Sequence, residues 1–135
     1  MNRRLFIIAG LAAFVLMAVF DWLLNVVVLA ELYEISKGVW RSRSAQEALY
    51  PLAFLNYLFI SFIFVALFVR GYRNKGWAEG VRFGLIFGAA IATSSAIQKY
   101  VLLEIPVQLA LGWFMGLLFI YMILGLIVAL IYREA

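Results

Sequence analysis

The sequence predicts an all-α fold, an integral membrane four-helix transmembrane bundle with both termini on the cytoplasmic side. Three observations predict it. Of 135 residues, 67% are hydrophobic and 13% charged, and mean hydropathy is +1.05; a soluble domain is nearer half apolar and a quarter charged. Four apolar runs can each cross a hydrocarbon core of about 30 Å at about 1.5 Å per helical residue. Lys and Arg divide unevenly, with seven on one side of those runs (Arg3, Arg4, Arg70, Arg73, Lys75, Arg82, Arg133) and four on the other (Lys37, Arg41, Arg43, Lys99). The positive-inside rule then places both ends of the chain in the cytoplasm. Each run must be helical, because lipid offers no partner to a backbone N–H or C=O and four elements are too few to close a barrel.

The N-terminal MNRR followed by an apolar stretch resembles a secretory signal, but the stretch is too long for a signal-peptide core. Leu16 also stands where a cleavage site near Ala18 would need a small residue. It reads as a retained signal-anchor. The first span runs from about Leu5 to Ala30, the second from Pro51 to Val69, the third from about Val81 to Leu103 and the fourth from about Ile105 to Ile131. Pro51 and Pro106 stand at the starts of the second and fourth spans, where a missing N–H costs nothing. Residues 1–135 read as one four-span domain, with no internal repeat and no low-complexity tract. The long connection ELYEISKGVWRSRSAQEALY carries Leu32, Ile35, Val39 and Trp40 at helical spacing. It reads either as a segment lying on the membrane surface or as a solvated loop with an aromatic anchor.

With no Cys and no His, disulfides, thiolate metal sites, His-ligated haem and imidazole acid–base chemistry are excluded. The net charge of +4 sits in short segments beside the spans and marks topology, not a nucleic-acid patch. No motif for nucleophilic catalysis or phosphate binding is present. Glu31, Glu34 and Glu104 gather acidic charge outside the spans but read as solvated surface, so no metal and no cofactor is expected.

Gly80, Gly84, Gly88, Ala92 and Ala96 recur every four residues along the third span. This small-residue ladder lets another backbone come close, and it drifts about 40° per step around a helix of 3.6 residues per turn. Gly112, Gly116, Gly125 and Ala129 repeat the pattern in the fourth span. The ladder reads as packing within the chain, with a dimer face as the alternative.

Asp21 inside the first span poses the functional question, since an ionisable group in a span usually faces a partner or a cavity. Asp21 and Lys99 fall at similar depth on parallel spans. Gly88, Ala92, Ser95 and Lys99 share one helix face, as do Gly10, Phe14, Met17 and Asp21. If those faces meet, Asp21, Asn25, Asn56, Ser94, Ser95, Gln98 and Lys99 form one polar cluster in the outer half of the membrane. It reads either as a buried ion pair that fixes helix register or as a ligand, ion or proton site. Tyr57, Tyr100, Trp22, Trp113 and Tyr121 read as interface and core aromatics.

The chain resembles an uncharacterised family of small four-span bacterial membrane proteins. The residues that carry the resemblance are Asp21, Tyr33, Trp40-Arg41, Gly71-Tyr72, Lys75-Gly76, Glu79-Gly80, Arg82, Gly84, Pro106, Trp113, Gly125 and Ile131-Tyr132-Arg133. The resemblance covers nearly the whole length, implies a multi-pass protein of a bacterial inner membrane, and supplies no activity. The expectation is a non-enzymatic accessory or structural subunit, surrounded by the lipid bilayer and packed in a larger membrane complex or a homo-oligomer. The alternative is a small oligomeric transporter or channel with a polar site around Asp21; its size analogues are drug exporters of the small multidrug resistance type. A membrane enzyme acting on lipid fits least.

Overall fold

Asn2 starts the first helix: its side chain accepts the backbone N–H groups of Arg4 and Leu5 at 3.1 and 3.2 Å, satisfying donors that the first turn leaves open. In the computed structural model, which describes residues 2–133, this helix α1 (Arg3–Trp22) runs into a π-helical stretch at Leu23–Val28. The connection that follows holds α2 (Ala30–Ile35), a 3₁₀ turn at Lys37–Val39 and α3 (Arg43–Ala48). Then come α4 (Tyr50–Gly71), α5 (Trp77–Leu102) and α6 (Val107–Tyr132). Every regular element among the described residues is helical. Four helices, Arg3–Val28, Tyr50–Gly71, Trp77–Leu102 and Val107–Tyr132, are long and apolar enough to cross a membrane. The chain is a multi-pass helical bundle.

The helix ends differ from the hydropathy limits for local reasons. α5 begins at Trp77, before the apolar run, because the Glu79 carboxylate pins the preceding turn by accepting the backbone N–H groups of Arg73 (2.7 Å) and Lys75 (3.0 Å). Gly76 in that turn has φ 87°, a conformation that costs most residues about 1 kcal/mol or more. α6 begins at Val107, because Pro106 is extended (ψ 143°).

Around the bundle the helices follow the order α4, α1, α6, α5; of the neighbouring pairs, α5 and α6 are in closest contact and α4 and α5 touch least. The ladder explains the close pair. A Cβ on Gly80 would lie 2.0 Å from the Gly125 carbonyl oxygen, one on Gly125 would lie 2.0 Å from that of Gly80, and one on Gly84 would lie 2.1 Å from that of Tyr121. Gly80, Gly84, Gly88, Ala92 and Ala96 are all buried. The ladder therefore meets α6 and not, as the matching of polar faces suggests, the Gly10–Asp21 face of α1. Opposed glycines draw two backbones together more strongly than one polar residue per helix can. Gly10 instead admits the Phe62 ring of α4, while Gly112 and Gly116 admit Leu29 and Leu24.

Where α4 passes α5 the spacing is set by large rings. Phe64 packs against Phe83 and Phe87 with centroids at 4.9 and 5.1 Å, filling the half of the seam nearest the chain termini. Toward the long connection the facing residues shrink to Asn56 and Ser95, which cannot fill the same gap, and a cavity opens there.

A polar cavity and an aromatic cap as the candidate functional site

All four long helices line this cavity of about 390 Å³: Met17 and Asp21 from α1, Asn56, Tyr57 and Ile60 from α4, Ile91, Ser95 and Lys99 from α5, and Leu117, Ile120 and Tyr121 from α6. The floor is apolar and the polar groups sit toward the end carrying the long connection. The Tyr57 hydroxyl donates to Asp21 Oδ2. That bond orients the carboxylate and leaves its other lone pairs open to the cavity.

Lys99 lines the same space but makes no salt bridge with Asp21. The ion pairs within 4.0 Å among the described residues are Lys37–Glu34 and Arg43–Glu47, both on the connection. Lys99 Nζ instead stands 4.4 Å from the centre of the Trp113 ring, where the ring's negative face attracts the cation. The direct pair expected from depth and face is thus replaced by two charges, each with its own aromatic partner, on one cavity. The reason is rotational: α5 turns its ladder toward α6, which carries Lys99 over Trp113 of α6 and away from α1.

A second polar group closes the bundle above the cavity. Asn25, in the π-helical stretch, donates through Nδ2 to the Asp21 backbone carbonyl (2.9 Å), and its Oδ1 accepts from the Tyr33 hydroxyl and from Trp113 Nε1 (3.1 Å). Trp113 Nε1 also donates to the Tyr33 oxygen at 2.8 Å. Trp40 completes an aromatic box, its centroid 5.2 Å from Tyr33 and 5.9 Å from Trp113, and its Nε1 donates to Ser36 Oγ at 3.1 Å. Burial pushes the Tyr33 phenol up to about 12. The connection thus folds back over the bundle end through Tyr33 and Trp40, with Trp40 as its aromatic anchor.

Of the residues expected to cluster, Asp21, Asn56, Ser95 and Lys99 line the cavity. Asn25 belongs to the aromatic cap one turn above. Ser94 and Gln98 are exposed and do not line it. Sequence reasoning passed over three contributors, Tyr57, Tyr121 and Trp113, by reading them as ordinary membrane aromatics. Tyr57 lies next to Asn56 and Trp113 is a lone indole within a span, so each had a polar handle seeking a partner. Compared with known proteins, the chain matches no family model, no curated protein and no solved structure.

Proposed function

We propose that this chain is a non-enzymatic, small multi-pass protein of a bacterial inner membrane that binds a small polar solute in the Asp21–Lys99 cavity, as the binding step of a transporter or channel. One observation carries the reading: a carboxylate and an ammonium line one cavity among membrane-spanning helices without forming a salt bridge to each other. A purely structural pair would close onto itself, because unpaired charges within a span are costly. The Lys and Arg imbalance supports an orientation with the aromatic cap on the extracytoplasmic side.

The subunit reading keeps one specific support. An apolar groove on α4, formed by Leu55, Leu58, Phe59, Phe62, Ile63 and Ala66, offers a face for another membrane helix, from a larger complex or a second copy. The two readings are compatible at different surfaces, and the cavity distinguishes them.

Because the chain has no cysteine, Ser95→Cys introduces a single thiol into the cavity. A charged, membrane-impermeant thiol reagent added to intact cells should label it, as it should Ser44→Cys on the connection, while Ile97→Cys on the lipid-facing side of α5 should stay unlabelled. Labelling at Ser44→Cys without labelling at Ser95→Cys would refute a solute-accessible cavity. Labelling of neither from outside, with both labelled in inverted vesicles, would reverse the orientation.

A further inference from the structure

Resting on the reading of this cavity as a solute site, we infer that its ligand is a zwitterion: a group carrying an ammonium and a carboxylate or phosphate a short linker apart. In a poor dielectric an unbalanced charge is costly. Asp21 and Lys99 together contribute no net charge to the cavity, and neither is within salt-bridge distance of the other. A singly charged ligand would neutralise one and leave the other with an additional uncompensated neighbour. A zwitterion lying between them meets both, its ammonium on Asp21 Oδ1 and its anionic end on Lys99 Nζ.

The remaining polar residues fit that placement. Asn56 and Ser95 come from the two neighbouring helices that pack most loosely, α4 and α5, and supply donors and acceptors along their seam. The partners already engaged point the same way. Tyr57 occupies Oδ2 of Asp21 from one side, which leaves the carboxylate one open oxygen suited to an ammonium N–H. Trp113 covers one face of the Lys99 ammonium, which leaves its other N–H groups for an anion. The apolar lining below, Met17, Ile60, Ile91, Leu117 and Ile120, suits a ligand whose charges lie toward one end of the cavity.

Two sources present this chemistry: a free amino acid, and the ethanolamine phosphate headgroup of a phospholipid reaching in through the loose α4–α5 seam. Thermal unfolding of the purified full chain in a non-ionic detergent separates them. One arm adds β-alanine, with propionate and propylammonium as single-charge controls; the other adds phosphatidylethanolamine, with phosphatidylglycerol as control. The inference predicts that at least one zwitterion raises Tm by roughly 4 °C or more at saturation while its single-charge controls do not. The rise should disappear in Asp21→Asn and in Lys99→Gln, and return in Lys99→Arg, which keeps the charge and reports that the fold is intact. A rise with β-alanine alone identifies a soluble ligand, and a rise with phosphatidylethanolamine alone identifies the lipid. Equal rises with propionate or propylammonium, or a rise that survives both neutralisations, would overturn the zwitterion. So would no rise with either zwitterion. In each of these cases labelling at Ser95→Cys shows whether the solute site itself stands.

Discussion

The Lys99 ammonium stands 4.4 Å from the centre of the Trp113 ring, not on the Asp21 carboxylate. Trp113 is buried, and its indole N–H is committed to Asn25 and Tyr33. A single side chain therefore joins the connection, the π-helical end of the first span, α5 and α6, and holds the cation at the cavity rim. Replacing it tests the aromatic cap.

Trp113→Phe keeps a ring under Lys99 but removes the only indole donor that Asn25 and Tyr33 share. It should lower stability by about 0.5 to 1.5 kcal/mol for each of the two hydrogen bonds it removes. Tyr33→Phe removes another edge of the same network, so the two changes should be strongly non-additive, with a coupling of about 0.5 to 3 kcal/mol. Thermal unfolding of both single variants and the double variant in detergent measures it; additive losses would mean that the cap is not a unit.

The same network has a pH signature. Tyr33 in the folded chain holds its proton up to about pH 12, whereas an unfolded tyrosine titrates near its ordinary value of 10.0. The folded-state value is the higher one, so the stability from neutral Tyr33 is complete below about pH 10 and is lost as pH rises toward about 12. Wild-type Tm should fall faster over that interval than the Tm of Tyr33→Phe. Parallel curves would show that the phenol is not buried by the cap.

Along the α5–α6 contact, Gly80→Ala puts a methyl against the Gly125 carbonyl, and the obstacle is backbone that cannot rotate away. The expected loss is about 3 kcal/mol, the upper part of the usual overpacking range. Gly38→Ala, where nothing lies within 4 Å of the added carbon, should leave Tm essentially unchanged. Equal effects at the two positions would place the ladder away from α6.

How far the sequence alone leads depends on which force positions a residue. The four spans and their helical state follow from the absence of any backbone partner in lipid, so composition and run length suffice. The small-residue ladder was equally visible, because close backbone approach needs glycine or alanine at regular spacing whatever the partner. Its partner was not visible. Pairing by polar faces pointed to α1, while Tyr121, Gly125 and Ala129 carried the complementary surface on α6. That one rotation accounts for the missing Asp21–Lys99 bridge and for the outward turn of Ser94 and Gln98. It also explains why Tyr57 and Trp113, and not the opposite charge, became the partners of the two ionisable groups. The cap was hidden for another reason: the π-helical stretch at Leu23–Val28 breaks the 3.6-residue period on which the placement of Asn25 depends.

The central claim is that Asp21 and Lys99 face one cavity as separate charges, each held by its own aromatic partner. A double-mutant cycle of thermal stability in detergent, with Asp21→Asn and Lys99→Met, tests it most directly. Asparagine can keep the bond from Tyr57, and methionine can keep packing on Trp113, so each single change should cost about 1 kcal/mol or less, with a coupling of about 0.5 kcal/mol, the low end for groups that share a cavity without touching. Single losses of about 3 to 5 kcal/mol, largely recovered in the double variant, are the signature of a closed buried ion pair and would contradict the account.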